Sequence, residues 1–307
     1  MYFQPDFFED EIRDNFCIDK LMKCAWAVQM EMLEEIQLLC KKNDIQYFAD
    51  GGTLLGAVRH GGYIPWDDDI DIAMLRPDYD KFVKIIQNEW KNKYELWIPG
   101  IRHGYDMTFT KVYNSDQISF DVEYLKKNHG FPYITGVDVF PIDAVPCDMG
   151  EREAFKQLYL VVINACMKYK TEQEEIEQCL DDIEQLCNYK INRNEEIISQ
   201  LCLLADMVSR SYAGVDGTEL MMMPYCTNNI ILKREWYETT EWKPFENMLL
   251  PVPGGYEEVL TAWYGDYRKP VRGTATHDYP FYKKEMEILE KKMVKDMYGI
   301  EIPEQGR

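Results

Sequence analysis

The sequence is short of positive charge: 34 lysines and arginines stand against 54 aspartates and glutamates, a net charge of -20 over 307 residues. Such a chain repels polyanions and anionic membrane surfaces, which argues against nucleic acid as a partner and leaves at most peripheral membrane contact. The nine cysteines, from Cys17 to Cys226, include no C-x-x-C pair. Neither a full disulfide framework nor a structural zinc site fits them, and reduced thiols are expected. No eighteen apolar residues run together, and the opening Met1 to Asp6 carries no basic stretch followed by an apolar one. Neither secretion nor a membrane span is expected, and a cytoplasmic location is, with the inner face of the membrane as its limit.

What the chain does have is 46% hydrophobic residues, enough for one large domain or two moderate ones. Residues 19–43 read as a helix, with Asp19 as N-cap and Leu21, Ala25, Val28, Met32 and Leu39 on one stripe. Ile45 to Ala49 suits a short strand, and Asp50-Gly51-Gly52 breaks it before a helical stretch from Thr53 to Arg59. Asp69 to Met74 alternates acidic and apolar residues, the period of a strand with one polar face. Asp78 is placed as the cap of the next helix. Further strands are expected near 94–98, 107–113, 118–123 and 134–140. Beyond Asp148 the spacing changes to helices near 151–169, 174–188, 194–212, 256–264 and 280–297. The fold class expected is α+β, a mixed sheet with flanking helices followed by a mainly helical C-terminal half. The divisions are 1–44, a helical segment packing on the core; 45–148, the catalytic core; and 149–307, completing the cleft.

Chemistry concentrates in the run Asp67 to Asp71. Strand alternation puts Asp69 and Asp71 on one face with Cβ atoms about 7 Å apart, a repulsive pair that a divalent cation relieves. Hard oxygen ligands of this kind suit Mg²⁺ or Mn²⁺ shared with substrate phosphates. Asp67 has the same parity but precedes the apolar strand residues, and Asp68 should point the other way, so both rank lower. A solvated acidic loop is the bland alternative, but Ile70 and Ile72 between the acids argue for a half-buried strand. The turn Gly51-Gly52-Thr53 opens a helix, where free N–H groups and the dipole favour a phosphate.

The stretch Tyr47-Phe-Ala-Asp-Gly-Gly-Thr-Leu-Leu-Gly-Ala-Val-Arg-His-Gly-Gly-Tyr-Ile-Pro-Trp-Asp-Asp-Asp-Ile-Asp-Ile-Ala-Met74 closely resembles the signature of the LicD family. Gly136-Val-Asp-Val-Phe-Pro-Ile-Asp143 and Tyr256 through Tyr267, with His277 following, look like later family motifs. The resemblance implies a polymerase-β-like nucleotidyltransferase core: a Gly-Gly turn, an Asp-x-Asp strand and a third carboxylate on a later strand. The gap from Gly52 to Asp69 is longer than in that wider superfamily. Bacterial members are phosphocholine transferases using CDP-choline, with ribitol-phosphate transferases as distant relatives.

By this resemblance Asp138 is the third carboxylate, a metal ligand or the acceptor of a hydroxyl proton, with Asp121 as runner-up. Expected partners are a CDP-activated donor and a glycan or lipid-linked glycan acceptor. Lys111, on an otherwise apolar strand, is a candidate phosphate contact, as are Arg59 and His277; His60 is equally open to a structural role. A choline head group calls for aromatic faces, for which Trp66, Tyr105, Trp236, Trp242, Trp263, Tyr264 and Tyr267 are candidates. The competing readings are nucleotidyl transfer at the α-phosphate of an NTP and an inactive binding module.

Overall fold

A computed structural model describes residues 1–171, 176–212, 217–271 and 279–298, with side chains to 293. The chain begins with a hairpin, β1 (Glu11–Arg13) and β2 (Phe16–Ile18), turned by Asp14 and Asn15 at positive φ. It leads into α1 (Lys20–Lys42), where the Asp19 carboxylate accepts from the Met22 N–H at 2.7 Å. Lys41 and Lys42 close the helix at its negative end. Met22, Trp26, Met30, Leu33 and Ile36 bury the inner face of α1, which packs on the sheet.

The short β3 (Phe48–Ala49) turns into α2 (Gly51–Arg59), and the extended acidic loop then feeds β4 (Asp71–Leu75). There follow α3 (Arg76–Glu89), β5 (Glu95–Trp97), β6 (Thr110–Tyr113), α4 (Val122–Lys127) and β7 (Gly136–Ala144). The strand order is β3-β4-β7-β6-β5; β4 and β7 run parallel, and the other pairs in this row are antiparallel. Ile72, Ala73 and Met74 are all buried, so β4 is covered on both faces.

Downstream come α5 (Met149–Thr171), α6 (Glu177–Cys187) and α7 (Ile197–Ser209). Phe155, Tyr159, Val162, Leu180, Ile183 and Leu201 give these helices a second apolar core beside the one around the sheet. Then β8 (Glu219–Met221) extends the sheet from the far end of β7, and β9 (Leu232–Lys233) pairs with it. A hairpin of β10 (Thr240–Phe245) and β11 (Met248–Pro253), then α8 (Tyr256–Tyr264) and α9 (Lys283–Tyr298), complete the described chain. The fold is α+β, as expected.

The differences from expectation have local causes. Residues 118–123 form no strand, because Asp121 caps α4, accepting from the N–H groups of Glu123 at 2.9 Å and Tyr124 at 3.2 Å. Helix α3 starts at Arg76, so Asp78 sits in its first turn rather than at the cap. The hairpin β10–β11 and strands β8 and β9 interrupt the helical half; Pro244, Pro251 and Pro253 masked the hairpin's alternation. All nine cysteines are free thiols. Among the described residues, no helix is long and apolar enough to cross a membrane.

Candidate active site

The turn after β3 is shaped by carboxylates. The Asp50 N–H donates to the Asp71 carbonyl at 3.0 Å, and Gly51, at φ +53°, swings the chain into α2. A Cβ at Gly51 would lie 2.9 Å from Asp71 Oδ2, and one at Gly52 2.2 Å from Asp67 Oδ2. Any side chain there would displace an acid, so the paired glycines let the turn and the acidic loop meet. Thr53, buried, accepts from the Asp71 N–H at 2.9 Å, fixing α2 to the start of β4.

Strand β4 begins at Asp71, and Asp69 lies in the extended loop before it. Pairing with β7 nevertheless starts one residue earlier, where Asp138 N–H donates to the Ile70 carbonyl at 2.9 Å. In the ladder Asp71 is opposite Asp138, and Asp138 is opposite Lys111, so all three occupy one row across β4, β7 and β6. The Lys111 ammonium donates to Asp138 Oδ2 at 2.6 Å. Asp121 is an exposed helix cap.

The loop supplies more acids than alternation suggested. Carboxylate oxygens of Asp67, Asp68 and Asp69 lie within 4.8 Å of one another. Asp67 packs against Gly52 and hydrogen-bonds to Asp69. Asp68, buried, accepts from the Phe281 N–H at 2.7 Å, a structural anchor. Burial pushes the Asp71 carboxyl well above its usual range, and Asp69, Asp138, Asp67 and Asp50 push the same way. Burial, then Asp69, does the same to Asp67. Asp50, buried at the turn, is pushed up to about 6, chiefly by desolvation. Burial works against the Lys111 charge, but Asp138, Tyr113 and Asp71 outweigh it and hold the ammonium above its ordinary pKa.

This donor set fits a divalent cation. It consists of hard oxygens, several of them partly open to solvent, and for Asp71 and Asp67 burial and then the neighbouring acids disfavour the charged form, a cost that a cation would offset. Asp67 belongs with Asp69 and Asp71 in that set; its parity with them was the sequence signal. Asp50 and Tyr225 are the other additions. Tyr225 and Tyr264, both partly exposed, have hydroxyls raised by burial and then by the acids: Asp71, Asp138, Asp50 and Asp69 for Tyr225, and Asp50, Asp71, Asp67 and Asp69 for Tyr264. Trp263 meets Tyr225 edge to face at 6.0 Å, and Tyr225 lies 5.4 Å from the Phe140 ring on β7. Tyr225 escaped the sequence reading because it sits in a short 3-10 helix, Met223–Asn228, without apolar periodicity.

Other candidates point elsewhere. Arg59 Nη1 donates to the Tyr267 carbonyl at 3.0 Å, and His60 lies 3.4 Å from Asp14. Trp66 packs edge-on to Phe16, Tyr105 donates to the Phe109 carbonyl at 2.8 Å, and Trp242 is exposed on β10. Trp236 lies under Lys233 and Tyr267 under Arg268. His277 lies outside the described residues.

Residues 44–168 match the family model described as LicD/FKTN/FKRP, nucleotidyltransferase domain. The chain is 26% identical over 257 residues to the lipopolysaccharide cholinephosphotransferase LicD of Haemophilus influenzae, covering 79% of this chain and 89% of that one. An uncharacterized protein of Rickettsia typhi is 45% identical over 56 residues, 18% of each chain. The human ribitol 5-phosphate transferase FKRP is 50% identical over 34 residues, 11% of this chain and 7% of that protein. The matched segment holds the glycine turn, the acidic loop, Lys111 and Asp138, and with these relatives it makes the chain similar to the LicD-family phosphotransferases.

Proposed function

We propose that the chain moves phosphocholine, or a closely related phospho-group, from a CDP-activated donor such as CDP-choline to a hydroxyl of a cell-surface glycan or its lipid-linked precursor. The observation that carries this reading is the set of mutually repelling carboxylates gathered at the glycine turn. Asp69 and Asp71, joined by Asp67, would hold Mg²⁺ or Mn²⁺, whose charge neutralises the donor diphosphate. Gly51 and Gly52 bring the α2 N-terminus against Asp71 and Asp67, so its N–H groups would meet the same phosphates beside the bound cation. Asp138 shares the row of Asp71 and accepts from the Lys111 ammonium, so it suits either completion of the metal set or acceptance of the proton from the attacking hydroxyl. CMP leaves as the new phosphodiester forms.

A quaternary ammonium would call for aromatic faces, and Tyr225 and Tyr264 near the acids, with Trp263 against Tyr225, are candidates for them. Support for choline and for a glycan acceptor comes from the named activity of the Haemophilus influenzae relative; a ribitol-type cargo keeps the same centre and has the human relative behind it. The test is to incubate the purified chain with Mg²⁺, CDP-choline and a glycan acceptor and to follow CMP. Acceptor-dependent release is expected. Pyrophosphate release from an NTP instead would mean nucleotidyl transfer, and donor binding without turnover an inactive binding module.

A further inference from the structure

A buried amide in α1 has both of its donors and its oxygen bonded to the surroundings of the acids. Gln29 is 1% exposed. Its Nε2 donates to the Asp68 carbonyl at 2.8 Å and to Thr135 Oγ1 at 2.9 Å, and its Oε1 accepts from the Tyr63 hydroxyl at 2.8 Å. A glutamine on the inner face of a helix is costly to bury unless each polar atom is paired, and here every partner belongs to a segment leading to the site. Asp68 lies between Asp67 and Asp69. Thr135 precedes β7, which carries Asp138. Tyr63 is on the stretch from α2 to the acidic loop, and its ring stacks on Trp26 of α1 at 4.2 Å.

We propose that Gln29 is a positioning residue that sets the separation between the Asp67–Asp69 loop and the Asp138 strand. The acids of the loop repel one another, and the bond from the Asp138 N–H to the Ile70 carbonyl ties only the last part of the loop to β7, so the Asp67–Asp69 part needs a tie of its own. Gln29 grips the loop by the Asp68 backbone carbonyl and not by a carboxylate of the run. The Phe281 N–H holds the Asp68 carboxylate, so the middle residue of the run is fixed at two points while its neighbours serve the site. Helix α1 thereby becomes part of the active centre although it lies outside the segment matched by the family model.

The test compares Gln29→Met, nearly isosteric but unable to hydrogen-bond, with Tyr159→Phe, which removes a buried hydroxyl bonded to Thr108 at 2.6 Å between α5 and the sheet. Two readouts are taken on the full chain: Mn²⁺ binding by titration calorimetry, and amide hydrogen exchange of residues 66–71. The first rests on the metal reading given above; the second does not. Gln29→Met is expected to weaken Mn²⁺ binding about tenfold and to accelerate exchange of the loop, as loss of an orienting partner does at other metal sites. Tyr159→Phe should change neither, even where both variants lose similar thermal stability. Native-like binding and exchange in Gln29→Met, or equal losses in Tyr159→Phe, would overturn the proposal. If the native chain takes up no Mn²⁺, the metal reading fails while loop exchange still decides the role of Gln29. Should Gln29→Met not fold, Tyr63→Phe removes one of the three bonds and must give a smaller change of the same kind.

Discussion

The parallel strands β4 and β7 carry acids at both ends, and the two ends treat them differently. At the far end Arg76 grips Asp143 as a fork, Nε to Oδ1 at 2.6 Å and Nη2 to Oδ2 at 2.8 Å, and reaches Asp206 of α7 at 2.8 Å with Nη1. Arg210 bonds the other Asp206 oxygen and lies 3.4 Å from Asp80. Burial opposes the Arg76 charge, but Asp143 and Asp206 outweigh it and raise its pKa. At the near end Asp71 and Asp67 face other acids, and their carboxyls are driven upward. Both ends use aspartates of the sheet, Asp71 of β4 and Asp138 of β7 at the near end and Asp143 of β7 at the far end. The far end ties the sheet to the helical unit, while at the near end the acids outnumber Lys111, and a cation-bearing ligand would relieve the repulsion that is left.

Substitutions at the two ends should therefore differ in sign. Arg76→Met strands Asp143 and Asp206 in the core and is expected to cost about 3–5 kcal/mol of unfolding free energy, read from urea denaturation. A loss under about 1 kcal/mol would show that the two ends are not distinct. Asp71→Asn should do the reverse: transfer falls about a thousandfold, some 4 kcal/mol of activation free energy, while the melting temperature in metal-free buffer stays level or rises. Retained activity, or a melting-temperature drop like that of Arg76→Met, would refute the assignment of the near end.

Titration sharpens the same contrast. Asp50 has a folded pKa of about 6 against an ordinary 3.8, so the folded state holds its proton more tightly than the unfolded one. Its contribution is fully present below pH 4 and is lost as pH rises through 6, about 3 kcal/mol at most. Asp67 and Asp71, raised in the same direction by burial and then by neighbouring acids, add to the loss as pH rises. Melting temperature in EDTA should fall from pH 4 to pH 8, and saturating Mg²⁺ should flatten the curve. A profile in EDTA that is already flat would mean the acids do not repel as described.

Much of this was legible in the chain because it is local. The Gly51-Gly52 turn, the Asp69-Ile-Asp71 alternation and the lone acid between Val137 and Val139 each declare themselves over a few residues. Ranking the acids was harder. Period-two alternation says which side chains share a face, not how close a loop passes to another segment, so it ranks Asp67 below Asp69 and Asp71 although Asp67 lies against Gly52. Gln29 looked like one more residue of a packing helix, since nothing in sequence links it to Asp68, Thr135 and Tyr63. Tyr225 reaches the acids only through tertiary structure, and the proline-bearing strands β10 and β11 lack the pattern that would announce a hairpin.

The smallest expected effect separates the two later aspartates. Asp121 caps α4 through the N–H groups of Glu123 and Tyr124, on an exposed helix of six residues. Asp121→Ala should cost about 1 kcal/mol of stability and leave transfer within about twofold of native. Asp138→Asn, by contrast, frees Lys111 from its 2.6 Å contact and removes the acid opposite Asp71. If Asp138 takes the hydroxyl proton, that variant keeps Mn²⁺ affinity and loses the acid limb of its pH–rate profile; if it completes the metal set, affinity falls with rate. An Asp121→Ala enzyme as inactive as Asp138→Asn would return the third carboxylate to α4 and break the row that joins β4, β7 and β6.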